Sequence, residues 1–280
     1  MTNLFHAPAE LCDFVNHAVE ETDKINKWVE NQTNNKIQNL IPEPLSTNTA
    51  MVLVNAIYFL GGWKAPFQTE QTQKGATFRS IQSSNGKVDM MCKYEDNVQY
   101  GTNGLYKWIS LPYENHEYEM TFILPTTDAI TAESENQFNK WFSTKIKEGK
   151  LMSQTFKSNW EDLATIHIPK FRIEFALELA DTLKEAPFNM ANPFSLSADF
   201  SRMTTSPNAI FISKVVHKAF IEVNEQGTEA AAATAIEEED GCMCEDEVET
   251  KDFIADRPFI YVLHHKASGS ILFIGKYNKP

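Results

Sequence analysis

What this sequence lacks narrows it first. Its 280 residues include only four cysteines, Cys12, Cys92, Cys242 and Cys244. That is too sparse for a disulfide-built scaffold and leaves the redox compartment open. No apolar run reaches the length of a bilayer-spanning helix; the longest, residues 50–60, is interrupted by Asn55. After Met1 come Thr2, Asn3, Leu4, Phe5 and His6, without the basic stretch and apolar core of a secretory signal. Basic residues are in deficit: 25 Lys and Arg against 38 Asp and Glu give a net charge of −13. Nucleic acids and anionic membranes both recruit clustered Lys and Arg, so neither is expected as a partner. Phosphate-loop, nucleophile-elbow and zinc-protease motifs are missing, and scattered Ser, His and Asp make no triad. No catalytic residue and no cofactor is therefore expected.

What is present is ordinary for a globular chain, 42% hydrophobic and 22% charged. A chain of this length can bury a sizeable core unaided. Residues 13–40 predict a helix, because Phe14, Ala18, Ile25, Trp28 and Val29 recur near helical spacing and Pro42 and Pro44 end the pattern. Residues 50–60 are rich in β-branched and aromatic side chains and stop at Gly61-Gly62, which predicts a strand covered on both faces. Strand patterns follow at 88–92, 105–111, 118–124, 164–175, 209–212 and 215–223. Helical patterns fall at 133–147 and 176–185. Two strands, 257–263 and 270–276, close the chain across a Ser268-Gly269 turn. Strands and helices do not alternate strictly, so the expected class is α+β. One sequon, Asn31-Gln32-Thr33, makes Asn31 a glycosylation candidate.

One stretch conflicts with its own propensity. Residues 229–239 form an alanine-rich run that local preference would make helical. It follows Gly227 and leads into eight carboxylates within 237–249, which repel one another and stay solvated. The run is too small and featureless to anchor in a core. Cys242 and Cys244 with His264 and His265 are zinc-ligand types. Adjacent histidines on a strand face opposite ways, however, and cannot both reach one metal.

Several segments, which follow one another in the family's order along the chain, resemble the serpin family of serine protease inhibitors. Residues 225–235, Glu-Gln-Gly-Thr-Glu-Ala-Ala-Ala-Ala-Thr-Ala, resemble the hinge of its reactive-centre loop. Residues 253–262, Phe-Ile-Ala-Asp-Arg-Pro-Phe-Ile-Tyr-Val, resemble its C-terminal signature, and residues 271–276 its last strand. Asn26-Lys27-Trp28-Val29-Glu30 with Thr33, then residues 55–59 with Gly62-Trp63, resemble its helix F and central strand. The resemblance runs from about residue 10 to the end and lacks roughly the N-terminal quarter of the family's length. It implies a single serpin domain over 1–280, with three β-sheets, surrounding helices and an exposed loop at 225–252. Helices of the lacking part would cover strands such as 50–60, so a large apolar patch is expected there.

The resemblance implies suicide inhibition: a protease cuts the loop, is held as an acyl-enzyme, and the loop enters sheet A as a new strand. The residues suit this. Thr228, Ala230, Ala232 and Thr234 form one small-side-chain row along a strand, and Gly227 gives a pivot. The implied hinge is Gly227, Thr228, Glu229, Ala230, Ala231, Ala232 and Ala233. The implied breach, where insertion starts, is Trp63, Lys170 and Glu225; the implied shutter is Asn55 with His217. Without the resemblance His217 reads as a satisfied strand residue, Trp63 as core, the alanine run as a surface helix and the acidic block as a solvated tail.

Counting from Glu225 at the family's spacing puts the reactive bond at Gly241–Cys242; counting back from Phe253 ends near Cys244, with Met243 between. No Lys or Arg lies between Glu225 and Lys251, so a protease without trypsin's taste for basic residues is the expected partner. Insertion is expected to run freely to about Ile236. It then falters at Glu238 and Asp240 unless these reach solvent at the far end of the sheet. A monomer acting outside the cell is what the family favours, with a cytoplasmic location as the alternative. A non-inhibitory carrier, chaperone or storage serpin is the alternative, and a hydrolase or metal enzyme a more distant one.

Overall fold

The computed structural model describes residues 9–80, 85–127, 131–149, 151, 159–203, 210–228 and 251–280. The chain forms two compact units, Met1–Phe59 with Ile173–Ile221, and Leu60–Arg172 with Glu222–Pro280.

In the first unit, helix α1 (Phe14–Gln32) starts where Asp13 accepts a hydrogen bond from the Asn16 amide at 3.1 Å. It buries Phe14, Thr22, Asn26 and Val29 along one stripe. The helix stops eight residues short of the expected Leu40. Asn34, Asn35 and Asn39 have φ of 48°, 60° and 47°, and asparagine is among the few side chains that accept this left-handed turn. The segment beyond folds back instead and buries Ile37, Leu40, Ile41 and Leu45. Asn26 staples it: its amide donates to the Ile41 carbonyl at 2.8 Å and its carbonyl accepts from the Ile41 amide at 2.9 Å.

Strand β1 (Val52–Tyr58) lies against this core through Val52, Val54, Ala56 and Tyr58. Its alternate residues Leu53 and Asn55 are exposed, so the strand is covered on one face only among the described residues. This corrects the two-face reading: α1 and its return segment supply one layer of packing. β1 pairs in parallel with β9 (Lys214–Asn224), and β8 (Phe171–Glu178) also pairs with β9. The expected helix 176–185 shrinks to α3 (Ala180–Lys184), because β8 runs on to Glu178. Of the expected strand 209–212, residues 210–212 form none.

The second unit holds β2 (Gly61–Gly62), β3 (Gln73–Phe78), β4 (Gly86–Thr102), β5 (Tyr106–Pro112), β6 (Tyr118–Pro125), β7 (Asn159–Pro169), β10 (Gly227–Thr228), β11 (Lys251–Ile254), β12 (Phe259–His265) and β13 (Ile271–Tyr277). The expected strand 164–175 divides after Pro169, where the Lys170 amide turns aside to the Asp89 carbonyl. β4 shifts register between Lys93 and Val98. Its first half lies between β3 and β7, and its second half pairs with both β7 and β5. Among the described residues these strands form one eight-stranded sheet in the order β11-β7-β4-β5-β6-β12-β13, with β3 also paired to β4. With the five-stranded β1–β9 sheet and the helices, this is the expected α+β class. Helix α2 (Ala132–Lys147), with a Thr131–Ser134 capping box, packs Phe138 onto Tyr106, Trp108, Ile123, Ile260 and Val262.

Candidate functional site

The second unit brings five segments together where β9 ends. β9 stops at Asn224, whose side-chain carbonyl accepts from the Gln226 amide at 3.0 Å, and the chain reverses. Gly227 and Thr228 return antiparallel, paired with Asn224 and Val223 on one side and with Gly62 and Gly61 on the other. Gly227 sits at φ +143°, and a Cβ there would collide with the Gly61 carbonyl oxygen and stand 2.8 Å from the Gly62 Cα. Only glycine fits so close a backbone approach.

Trp63, buried to 1% exposure, follows β2. Its indole donates to the Asn224 carbonyl at 3.0 Å, and its amide donates to the Gln226 carbonyl at 2.9 Å. One residue, through its ring and its backbone, thus holds the reversal at two points. Glu225 is held by Lys170, whose ammonium lies 2.9 Å from one carboxylate oxygen, and by the Thr72 hydroxyl at 2.8 Å from the other. Burial alone would raise the Glu225 pKa. Hydrogen bonds from Lys170, from its own backbone and from Thr72, with the Lys170 charge, outweigh that and hold the carboxyl below its usual range. The Phe67 amide donates to the Glu225 carbonyl at 2.9 Å.

Thr228 is fully buried, and its hydroxyl bonds to that of Tyr113. Tyr113 stacks on Trp63 with ring centroids 4.6 Å apart. Burial pushes the phenol pKa far up, so it stays a neutral hydroxyl. Trp63, Lys170, Glu225, Gly227 and Thr228 thus meet in one place, together with Tyr113 and Thr72, which went unforeseen. Nothing in the sequence marks either: each arrives from a stretch far along the chain from residues 225–228, placed by sheet pairing.

In the first unit, Asn55 and His217 are direct partners in the parallel β1–β9 register, Asn55 exposed and His217 half-buried. Asn31 is exposed on the last turn of α1. Thr33 is buried, its hydroxyl donating to the Val29 carbonyl at 2.8 Å. Glu229, Ala230, Ala231, Ala232 and Ala233, and the bond candidates Gly241, Cys242, Met243 and Cys244, lie outside the described residues. His264 is buried with Nε2 3.0 Å from the Thr121 hydroxyl, whereas the His265 ring bonds Ser268, so the two histidines diverge. Among the described residues no group of three or more His, Cys, Asp or Glu could hold a metal. No helix among them is long and apolar enough to cross a membrane.

A model of the family described as "Serpin (serine protease inhibitor)" matches residues 1–280. The chain belongs to the serpin family. It is 35% identical to human serpin B3 over 285 residues, covering 99% of this chain and 68% of that protein. It is 38% identical to leukocyte elastase inhibitor of Sus scrofa, covering 96% and 68%. An uncharacterized serpin-like protein of Methanosarcina acetivorans shares 36% identity over 96% of this chain and 59% of its own length. Among solved structures, Serpin48 of the insect Tenebrio molitor superposes with a TM-score of 0.80 at 31% identity, covering 99% of this chain and 69% of that one. Thyroxine-binding globulin in complex with thyroxine gives 0.78 at 26%, covering 100% and 70%. This serpin therefore spans about two thirds of its relatives' length rather than the expected three quarters.

Proposed function

We propose that this serpin carries the reactive loop and the receiving strand of a suicide inhibitor of a serine-type, or by the same loop chemistry a cysteine-type, endopeptidase. The observation that carries the reading is the seated hinge: Gly227 and Thr228 are already paired between β9 and β2, with Thr228 fully buried. The first step of strand insertion is thus built into the uncut chain, and small residues follow it. A carrier would gain nothing from a hinge whose inward row is Thr228, Ala230, Ala232 and Thr234.

Continuing the β9–β10 register residue by residue would set Ala230 opposite Ile221, Ala232 opposite Ala219, Thr234 opposite His217 and Ile236 opposite Val215. The parallel β1–β9 ladder would be exchanged for antiparallel ladders on both sides of the new strand, the slightly more stable pairing per residue. Glu237 would come opposite Lys214, the first residue of β9, so the acidic tract begins where the strand's partner ends. Glu238 and Asp240 would then lie past β9 rather than inside the sheet, which favours complete insertion over faltering.

Cleavage is placed at Gly241–Cys242, or one to three residues later around Met243 and Cys244. The target is an elastase-, chymotrypsin- or cathepsin-like enzyme, or one that cuts after Asp240. The test is incubation with a panel of proteases, followed by denaturing electrophoresis and mass spectrometry. An SDS-resistant adduct with a cut within 240–244 is the expected result. Adducts with trypsin alone, or rapid loop cleavage by every enzyme with no adduct, would refute the reading.

A further inference from the structure

Thr228 enters the sheet beside a fixed hydroxyl. Tyr113 follows β5, and its backbone bridges that of Trp63. Its ring is clamped by stacking on Trp63, which is itself bonded to Asn224 at the end of β9. The Tyr113 oxygen therefore has a set position relative to the strand that β10 pairs with. It meets the Thr228 hydroxyl, and each group can donate and accept.

We infer that Tyr113 is a positioning residue that sets the register of the inserting strand, by recognising the Thr228 hydroxyl and no neighbouring side chain. The inference rests on the insertion reading above. A slip of one residue would bring Gly227 or Glu229 to this spot. Glycine has no side chain, and a carboxylate would have to shed its water in a fully buried place. A slip of two brings Ala230, which has no polar atom. The next hydroxyl in the loop is that of Thr234, six residues on. A strand of near-identical small residues is the kind whose register is weakly specified. Here one hydroxyl pair at its first buried position resolves the degeneracy.

The test is amide exchange in the intact chain, read on Gly227 and Thr228 and, as a reference, on β12 and β13. Tyr113→Phe keeps the stacked ring and leaves the Thr228 hydroxyl without this partner. Exchange at 227–228 should quicken about tenfold or more, with β12 and β13 unmoved. Adding Thr228→Val removes the orphaned hydroxyl as well and should restore protection to within about threefold of the parent. A role in ring packing alone would predict parental exchange in Tyr113→Phe and no rescue by the second change; either result overturns the inference. No protease enters this measurement, so its failure and the failure of the adduct test are separate results.

Discussion

Gly227→Ala tests how tightly the hinge is seated. The added Cβ would meet only backbone: the Gly61 carbonyl oxygen, the Gly62 Cα at 2.8 Å and the Trp63 amide nitrogen at 2.9 Å. No flexible side chain can swing away. If the hinge stays, a non-glycine residue at φ +143° costs about 1–3 kcal/mol, and the overlap adds about 1–3 kcal/mol more. If the hinge leaves, the molecule gives up the Tyr113–Thr228 bond and the pairing of Gly227 and Thr228 with both neighbours, about 2–4 kcal/mol at roughly 1 kcal/mol per hydrogen bond. The protein takes the cheaper route, so the loss is capped at about 2–4 kcal/mol. For 280 residues the unfolding entropy is about 0.6 kcal/mol per kelvin, and thermal melting should fall by roughly 3–7 °C. A shift below about 1 °C would mean that Gly227 is not held between β9 and β2, and the seated-hinge argument would fall with it.

Three further outcomes follow from the same site. Thr228→Arg would place an unpaired charge where exposure is 0%, so this variant should be cleaved as a substrate and form far fewer SDS-resistant adducts than the parent; equal adduct yield would exclude insertion at this position. Glu225→Gln should cost about 1–2 kcal/mol at neutral pH through the Lys170 and Thr72 contacts. Because the folded-state pKa of Glu225 is depressed, its contribution is present above the ordinary glutamate value of about 4.3 and is lost as pH falls through the folded value. Denaturant midpoints of parent and variant should therefore converge in that acid window, and a gap constant from neutral to about pH 3 would contradict the ion pair. Finally, on the proposed insertion the β9 register, if continued, would put Glu238 and Asp240 beyond Lys214, so Glu238→Ala/Asp240→Ala should leave the inhibitor consumed per protease inactivated unchanged, whereas Ala232→Glu should raise it; a fall in the double variant would show that the acidic residues enter the sheet.

The sequence by itself determined the parts whose physics is local. Alternation and β-branching located β5, β6, β9 and the closing β12–β13 pair to within a residue or two, and helical spacing located α2. The glycine before a row of small residues is plain in the sequence, and that Trp63, Lys170 and Glu225 belong together was implied only by the family resemblance. Tertiary structure decided the rest. The helix at residues 13–40 ended at Gln32 because asparagines adopted positive φ and a folded-back segment found a better burial, a choice that periodicity does not encode. Strand β1 reads as buried on both faces because its composition is apolar throughout. Which face meets a partner depends on the layers that pack on it. Tyr113 and Thr72 were invisible for a related reason. Each is an ordinary residue in an ordinary turn, and its role exists only because sheet pairing carries it more than a hundred positions along the chain to the point where β9 reverses.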